Sequence, residues 1–212
     1  MRTLRAVIAI GLLPLAAFAQ AVKPPADTTK RVVDREGLPP AGFGTLRQDQ
    51  IAIRVQTNGL TFSAIPLEES IIRTLAPDSY RTLHNIRESK KAALEALRAR
   101  SGMTNVEAWY VWFINVQQGD ARFDASDFII RSAGQDFRPL DALALTPGFG
   151  DGRVAQRGQQ AAVYAFDPQV DINQPLTVTA LGQQTTVWGD TMLPLIERER
   201  SLIWSRSAAG KP

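Results

Sequence analysis

The side chains that could perform chemistry in this sequence are carboxylates, hydroxyls and arginines. The 212 residues include no cysteine and one histidine, His84. The lack of cysteine excludes disulfide bonds, thiolate metal sites and thiol nucleophiles, and a single histidine excludes a metal site built from several imidazoles. A serine nucleophile would need His84 as its base, but the chain has no Gly-x-Ser-x-Gly motif to present such a serine. We therefore predict no cofactor and no catalytic activity, and we assign His84 a structural role.

Two aspartate-rich stretches have the composition of calcium-binding loops. Calcium takes about six to eight oxygen ligands, which closely spaced aspartates and asparagines can supply. The first stretch lacks the residue order of an EF-hand and contains Arg122, which would compete for the carboxylates. Aspartates are also common in turns, so ordinary turns are the alternative at both places. The candidate calcium ligands are Asp120, Asp124 and Asp127 in the first stretch, and Asp167, Asp171 and Asn173 in the second.

The glycine-rich segment 147–152 is a candidate recognition loop. It lacks the Gly-Lys-Ser/Thr ending of a phosphate-binding loop, and no helix-forming sequence follows it. We predict a mobile loop between strands with Phe149 as an exposed apolar tip. Arg153 and Arg157 follow closely and are suited to contact an anion, and loops of this kind often carry binding residues. The candidate binding residues are therefore Phe149, Arg153 and Arg157, with a plain connector as the alternative.

The amino-terminal residues have the three parts of a signal peptide. Arg2 and Arg5 precede the apolar run 7–17, and small residues then offer a cleavage site. We predict that residues 1–21 are removed and that the mature protein is exported, to the periplasm or out of the cell. The remaining chain has 22 basic and 21 acidic residues, which gives no electrostatic case for nucleic-acid binding. We expect no transmembrane segment after cleavage.

The mature chain divides into a linker, one domain and a tail. Prolines and glycines dominate residues 22–45, which we predict to be a flexible linker. Hydrophobic periodicity starts soon after residue 46, and we predict a single domain over 46–206. Residues 207–212 form the predicted tail.

Alternating apolar residues predict a mainly β domain. Two strands flank Asn58-Gly59, a pair that favours a hairpin with a type I′ turn. The apolar segment 106–116 predicts a central strand covered on both faces, with Trp109 and Trp112 on opposite sides. Turn signals then separate further predicted strands near 127–131, 137–145, 160–167, 175–181 and 184–188.

Two helical segments complete the predicted fold. Apolar residues recur at helical spacing within 67–102, where Gly102 is the expected stop, and again in 193–206. The predicted fold class is therefore α+β, mainly β. It is an Ig-like antiparallel β-sandwich with a helical insertion at about 67–102 and a C-terminal helix.

Three segments in the second half of the chain carry a family resemblance: Phe137–Leu140, Leu145–Gly150 and Ala162–Asp167. In layout they resemble exported bacterial Ig-like sandwich proteins of unknown function. The resemblance implies a sandwich fold and a place in the cell envelope. It supplies no catalytic residues.

The function predicted from these observations is binding or assembly. We expect an exported, non-catalytic protein of the bacterial cell envelope whose partner is a protein or another envelope component. A small-ligand carrier is the first alternative, and it requires an apolar pocket between the sheet and the long helix. A carboxylate-based hydrolase is the second, and it requires paired carboxylates with a perturbed pKa.

Overall fold

The computed structural model describes residues 37–209. The predicted signal peptide at 1–21, most of the predicted linker at 22–45 and the end of the predicted tail at 207–212 lie outside the described residues. The helices of the described part are α1 (Gln48–Ile51), α2 (Glu69–Ile72), α3 (Pro77–Ser101) and α4 (Leu193–Ala208). Short helical turns cover Ala125–Asp127, Phe149–Asp151 and Trp188–Met192.

The strands form antiparallel sheets. Their bounds are β1 (Ile53–Gln56), β2 (Leu60–Pro66), β3 (Glu107–Asn115), β4 (Ala121–Arg122), β5 (Ile129–Ser132), β6 (Gln135–Phe137), β7 (Asp141–Ala144), β8 (Arg153–Val154), β9 (Gln159–Phe166), β10 (Thr177–Ala180) and β11 (Gln183–Thr185). One sheet has the order β1-β2-β3-β9-β7, a second has the order β11-β10-β5-β6, and β4 pairs with β8. The predicted class, α+β with antiparallel sheets, a helical insertion and a C-terminal helix, is confirmed.

The core lies between the two larger sheets. Phe128, just before β5, packs its ring against Phe62, Trp109 and Phe166 of the five-stranded sheet, at centroid distances of 5.0, 6.0 and 5.0 Å. All three ring pairs meet edge to face, an arrangement that contributes stability beyond the burial of area. Ring packing of this kind joins the sheets into a sandwich-like fold.

Strand β3 occupies the centre of the larger sheet, as predicted. Trp109 and Phe113 lie on its inner face and are at most 2% exposed. Tyr110 and Trp112 lie on the other face, stacked on each other at 4.8 Å and half-buried. The two faces are therefore covered unequally, because α3 contacts β3 and β9 over only part of the second face.

Helix α3 forms where the spacing of apolar residues predicts it. Pro77 occupies the first turn, where its missing N–H costs nothing. Gly102 ends the helix in the left-handed region, at φ 65°. Leu83 and Leu97 are buried on the face that meets the sheet. Neither α3 nor any other helix among the described residues is long and apolar enough to cross a membrane.

The domain begins earlier and ends later than predicted. Pro39 is buried, and the backbone carbonyl of Phe43 accepts a hydrogen bond of 2.8 Å from Arg206 of α4. The backbone N–H and the hydroxyl of Thr45 both donate to Glu199 at 2.9 Å. Partly buried hydrogen bonds therefore hold the chain before residue 46, the predicted start of the domain. Helix α4 also continues to Ala208, into the predicted tail.

The hairpin between β1 and β2 is present, but its turn differs from the prediction. Neither Asn58 nor Gly59 has a positive φ, so the turn is not type I′. Thr57 closes the loop instead. Its N–H donates to the carbonyl of Leu60 at 2.8 Å, and its hydroxyl accepts from the N–H of Leu60 at 3.1 Å.

Two other hairpins have positive φ at both central residues. Ala133 and Gly134 have φ of 49° and 82° between β5 and β6, and Leu181 and Gly182 have φ of 51° and 72° between β10 and β11. The sequence predicted turns at Gly134 and at Gly182-Gln183, but not the positive φ of Ala133 and Leu181, because alanine and leucine are unfavourable in the left-handed region. Two-residue loops that match the twist of the strands require that region regardless of residue type.

We predict that Ala133→Asn will raise the free energy of unfolding by about 0.5–1 kcal/mol, because asparagine tolerates a positive φ better than alanine. Urea denaturation measures the change. Ala144→Asn is the matched control, since Ala144 is exposed in the edge strand β7 and has no positive φ. Asparagine is disfavoured in strands, so the control should lose stability. Equal losses in both variants would contradict the prediction.

Candidate functional site

The predicted recognition loop is not an exposed tip. Phe149 is 4% exposed, and its ring packs against Phe123 at 5.2 Å and Tyr164 at 6.1 Å. Gly148 and Gly152 flank the turn with φ of 77° and 61°, and these two left-handed residues direct the chain back onto the core. The prediction of Phe149 as an apolar tip is therefore wrong.

The two arginines of that loop lie apart from a common site. Arg153 belongs to β8 and forms an ion pair with Asp120. Arg157 is exposed in the turn that leads to β9, with φ of 56°, and its side chain makes no hydrogen bond or ion pair with any described residue. Because the apolar side chain is buried and one arginine is paired, the three residues do not form a joint anion site. An anion contact at Arg157 alone stays a prediction.

The first aspartate stretch forms turns. Asp124 accepts hydrogen bonds from the backbone N–H and the hydroxyl of Ser126, both at 2.8 Å, and so caps a short helical turn. Asp120 is engaged by Arg153, and Asp127 is exposed at the end of the same turn. The three carboxylates therefore do not converge on one point.

The side chains of the second aspartate stretch also make hydrogen bonds within the protein. Asp167 accepts a hydrogen bond from the N–H of Gln169 at 2.8 Å, and Asp171 accepts one from Asn173 at 3.0 Å. The side-chain oxygen of Asn173 in turn accepts from Arg200 at 3.3 Å. Between Gly37 and Ala209, no three histidine or acidic side chains are placed to hold a metal ion. The geometry therefore gives the calcium prediction no support.

A groove between α3 and the start of β3 is the first candidate site, and we call it the α3 groove. Its volume is about 350 Å³. One wall consists of helix residues one or two turns apart, and the opposite wall consists of the chain that enters β3. The lining includes Arg87, Lys91, Leu94 and Arg98 on the helix side and Asn105 and Ala108 on the other.

The cations of the α3 groove differ in their partners. Lys91 lies 3.4 Å from Glu88, which also lines the groove. Arg87 lies 3.9 Å from Glu68 and 4.0 Å from Glu69. Arg98 forms no ion pair with any residue in the described range. Weak or absent pairing leaves positive charge in the groove, although Glu88 and Glu95 reduce the net charge.

Next to Arg87 lies a partly buried carboxylate, Glu69, at the centre of a polar cluster. It accepts hydrogen bonds from Arg73 at 2.6 Å and from the hydroxyl of Tyr80 at 3.3 Å, and it lies 2.8 Å from Nδ1 of His84. Burial alone would raise the pKa of Glu69, but the bonds from Arg73 and His84 outweigh it and hold the pKa below its ordinary value. His84 therefore joins α3 to α2, which agrees with a structural role.

The carboxyl of Glu107 has a strongly raised pKa. Burial raises the pKa of this carboxyl to about 7, and the negative charges of Glu68 and Asp171 add to the effect, while Arg87 opposes it. The side chain of Asn105, which lines the α3 groove, donates to Glu107 at 3.4 Å. A carboxyl that titrates near neutral pH beside a groove is typical of functional sites.

The sequence did not identify Glu107 as a site residue, and it singled out Asp171 only as a candidate calcium ligand. The only local signal was a charged residue at the start of a very apolar segment. Glu68 and Asp171 come close to Glu107 through the tertiary fold, and nothing in their local sequence indicates that contact.

Comparisons with protein-family models, with curated proteins and with solved structures found no match. The resemblance to Ig-like exported proteins therefore stays a prediction.

We predict that Glu107→Gln will stabilise the protein above pH 7 by about 1–3 kcal/mol, and by much less below pH 4.5. The unfolded carboxyl loses its proton near pH 4.5, whereas the folded one keeps it to about pH 7. The native protein therefore loses stability between these values, and the glutamine variant does not. Urea denaturation across this pH range tests the prediction, with Glu95→Gln on the groove wall as the control. A difference that is constant with pH would contradict it.

Proposed function

We propose that the protein is an exported, non-catalytic binding protein, and that the α3 groove takes a small polar ligand with an anionic group. A carboxylate or a phosphate would satisfy the cationic side chains of the groove. The partner would be a component of the bacterial cell envelope. Export is proposed from the signal-peptide pattern of residues 1–21.

The observation that carries the proposal is the cationic stripe on α3. Arg87, Lys91 and Arg98 stand four and seven residues apart, so helical periodicity puts them on one face. All three line the groove. Arginine presents a planar fork that matches carboxylate and phosphate oxygens, so Arg98, which has no carboxylate partner among the described residues, is free to bind such a ligand.

An apolar ligand fits this groove poorly. The carrier hypothesis named the space between the sheet and the long helix, which is where the groove lies. Its lining, however, is mostly charged, with Leu94, Val106 and Ala108 as the apolar members. The inner side of β3 offers no second space, because Trp109 and Val111 are fully buried.

The proposal is tested by capture of small molecules from envelope extracts. The mature protein and the variant Lys91→Gln/Arg98→Gln are incubated with the low-molecular-mass fraction, and bound compounds are compared by mass spectrometry. We expect at least one anionic compound to be about tenfold enriched on the native protein. Arg81→Gln, an exposed change on α3 outside the groove, should behave as the native protein. Identical bound sets for all three proteins would contradict the proposal.

The hydrolase alternative is favoured by one observation, the pKa of about 7 of Glu107 near a second carboxylate, Glu68. A carboxyl that keeps its proton near neutral pH is suited to act as a general acid. Turnover of chromogenic glycosides and esters that falls above pH 7, and that Glu107→Gln abolishes, would support this alternative. Absence of turnover, or unchanged turnover in the variant, would exclude it for these substrates.

A further inference from the structure

The α3 groove is lined by charged side chains of both signs. Arg87, Lys91 and Arg98 contribute positive charge, whereas Glu88 and Glu95 contribute negative charge. Lys91 and Glu88 lie 3.4 Å apart, so each offsets part of the charge of the other. Glu95 remains as a second negative group, and like charges in a binding site repel a simple anion. The charge pattern therefore favours a ligand that carries a positive group in addition to its anionic group.

Glu95 and Arg98 form an open pair of opposite charges on the helix wall of the groove. They stand three residues apart, a spacing at which a carboxylate and a guanidinium on one helix can meet. Neither side chain forms an ion pair with any residue between Gly37 and Ala209. Both are exposed where they line the groove. A ligand with two charged groups can therefore reach both side chains without breaking an existing ion pair.

The opposite wall of the groove adds a hydrogen-bond acceptor and apolar surface. The side-chain amide nitrogen of Asn105 donates to Glu107 at 3.4 Å, which orients the amide. The carbonyl oxygen of the same amide accepts no hydrogen bond from a described residue, so it can accept one from a ligand. The apolar part of the lining consists of Leu94 and Val106, both half-buried, and Ala108, which is buried. This surface suits a small apolar side chain.

We propose that the α3 groove binds a zwitterion with a free ammonium group, a free carboxylate and a small apolar side chain, which is the chemistry of an amino acid or a short peptide. The guanidinium of Arg98 donates to the carboxylate of the ligand. The carboxylate of Glu95 and the side-chain oxygen of Asn105 accept from the ammonium group, and Leu94 and Val106 contact the apolar side chain. This inference rests on the proposed anion-binding function of the groove, and it adds the ammonium group and the apolar side chain to what the groove recognises.

Titration of the mature, isotope-labelled protein, followed by amide NMR at about pH 6, tests the inference, because the free amino and carboxyl groups of the probes are then charged. The probes are alanine, which has both groups, N-acetylalanine, which lacks the ammonium group, and alaninamide, which lacks the carboxylate. We expect saturable shifts at residues 87–98 and 103–108 with alanine. Removal of either charged group should weaken binding about fivefold, the upper range for an exposed ion pair.

A fourth probe, alanylalanine, distinguishes the two sources of such a ligand. Tighter binding of alanylalanine than of alanine would indicate a short peptide as the natural ligand. Weaker binding would indicate a free amino acid.

Two variants assign the charged groups of the ligand to their side chains. Glu95→Gln should weaken the binding of alanine about fivefold and leave the binding of N-acetylalanine unchanged. Arg98→Gln should weaken the binding of alanine to a similar extent and leave the binding of alaninamide unchanged. Asp78→Asn, an exposed change on α3 outside the groove, is the control and should alter none of these affinities.

The possible failures of this inference and of the proposed function are distinct. N-acetylalanine that binds the native protein as tightly as alanine would overturn the zwitterion and leave the anion site intact. Equal affinity of alanine for the native protein and for Glu95→Gln would overturn it in the same way. No saturable shift with alanine or alanylalanine would also overturn it, and the titration with N-acetylalanine then tests the anion site separately.

Discussion

Phe149→Ala will lower the free energy of unfolding by about 3–5 kcal/mol, the usual cost of deleting a large buried aromatic side chain. Phe149 is 4% exposed and contacts the rings of Phe113, Phe123 and Tyr164. Removing it would open a cavity beneath a glycine-flanked turn, which can collapse only partly. Chemical denaturation measures the loss.

Trp204→Ala is the control for this prediction. Trp204 lies on α4 and is 46% exposed, so its removal should cost much less than that of Phe149. A loss below about 1 kcal/mol for Phe149→Ala would mean that the loop carries an exposed tip, as the sequence alone suggested.

Glu199→Ala will lower the free energy of unfolding by about 1–3 kcal/mol, because it leaves the partly buried donors of Thr45 and Arg206 without their acceptor. Glu199 is 4% exposed and accepts hydrogen bonds from Thr45 at 2.9 Å and from Arg206 at 2.7 Å. These bonds attach the chain before β1 to helix α4. Glu197→Ala, an exposed change on the same helix, should cost less than about 1 kcal/mol.

The effect of Glu199→Ala depends on pH in a defined direction. Burial would raise the pKa of Glu199, but hydrogen bonds from Arg206 and Thr45 hold it below its ordinary value. The carboxylate therefore stabilises the fold fully above about pH 4.5 and loses that contribution as pH falls through its folded pKa. The difference in free energy of unfolding between the native protein and Glu199→Ala should therefore become smaller as the pH is lowered. A difference that grows in acid, or equal losses in the two glutamate variants, would contradict this account.

Local sequence was sufficient for most elements of the fold. Alternation at Ile53 and Val55 predicted β1, and Gly102 predicted the end of α3. These features depend on neighbours within a few residues. The prediction of a type I′ turn at Asn58-Gly59 was wrong for a different reason. The hydroxyl of Thr57 accepts a hydrogen bond from the backbone N–H of Leu60, and the loop closes without a positive φ.

The candidate sites could not be predicted, because they depend on contacts between distant segments. Phe149 has the sequence context of a mobile loop, yet Phe113 and Tyr164 from two other strands bury it. The sequence alone shows that Arg87 and Arg98 lie on one charged face of a helix. It does not show that Asn105 lies on the opposite wall of the groove. Composition can therefore indicate which side chains carry charge, and only the fold shows which of them meet.

The most direct test of the account measures where a ligand binds. Hydrogen–deuterium exchange of the mature protein is recorded with and without the low-molecular-mass fraction of an envelope extract. We predict slower exchange in residues 87–98 and 103–108, which form the two walls of the α3 groove, and no such change in Lys91→Gln/Arg98→Gln. Protection elsewhere with none at these segments, or equal protection in the variant, would contradict the assignment of the α3 groove as the binding site.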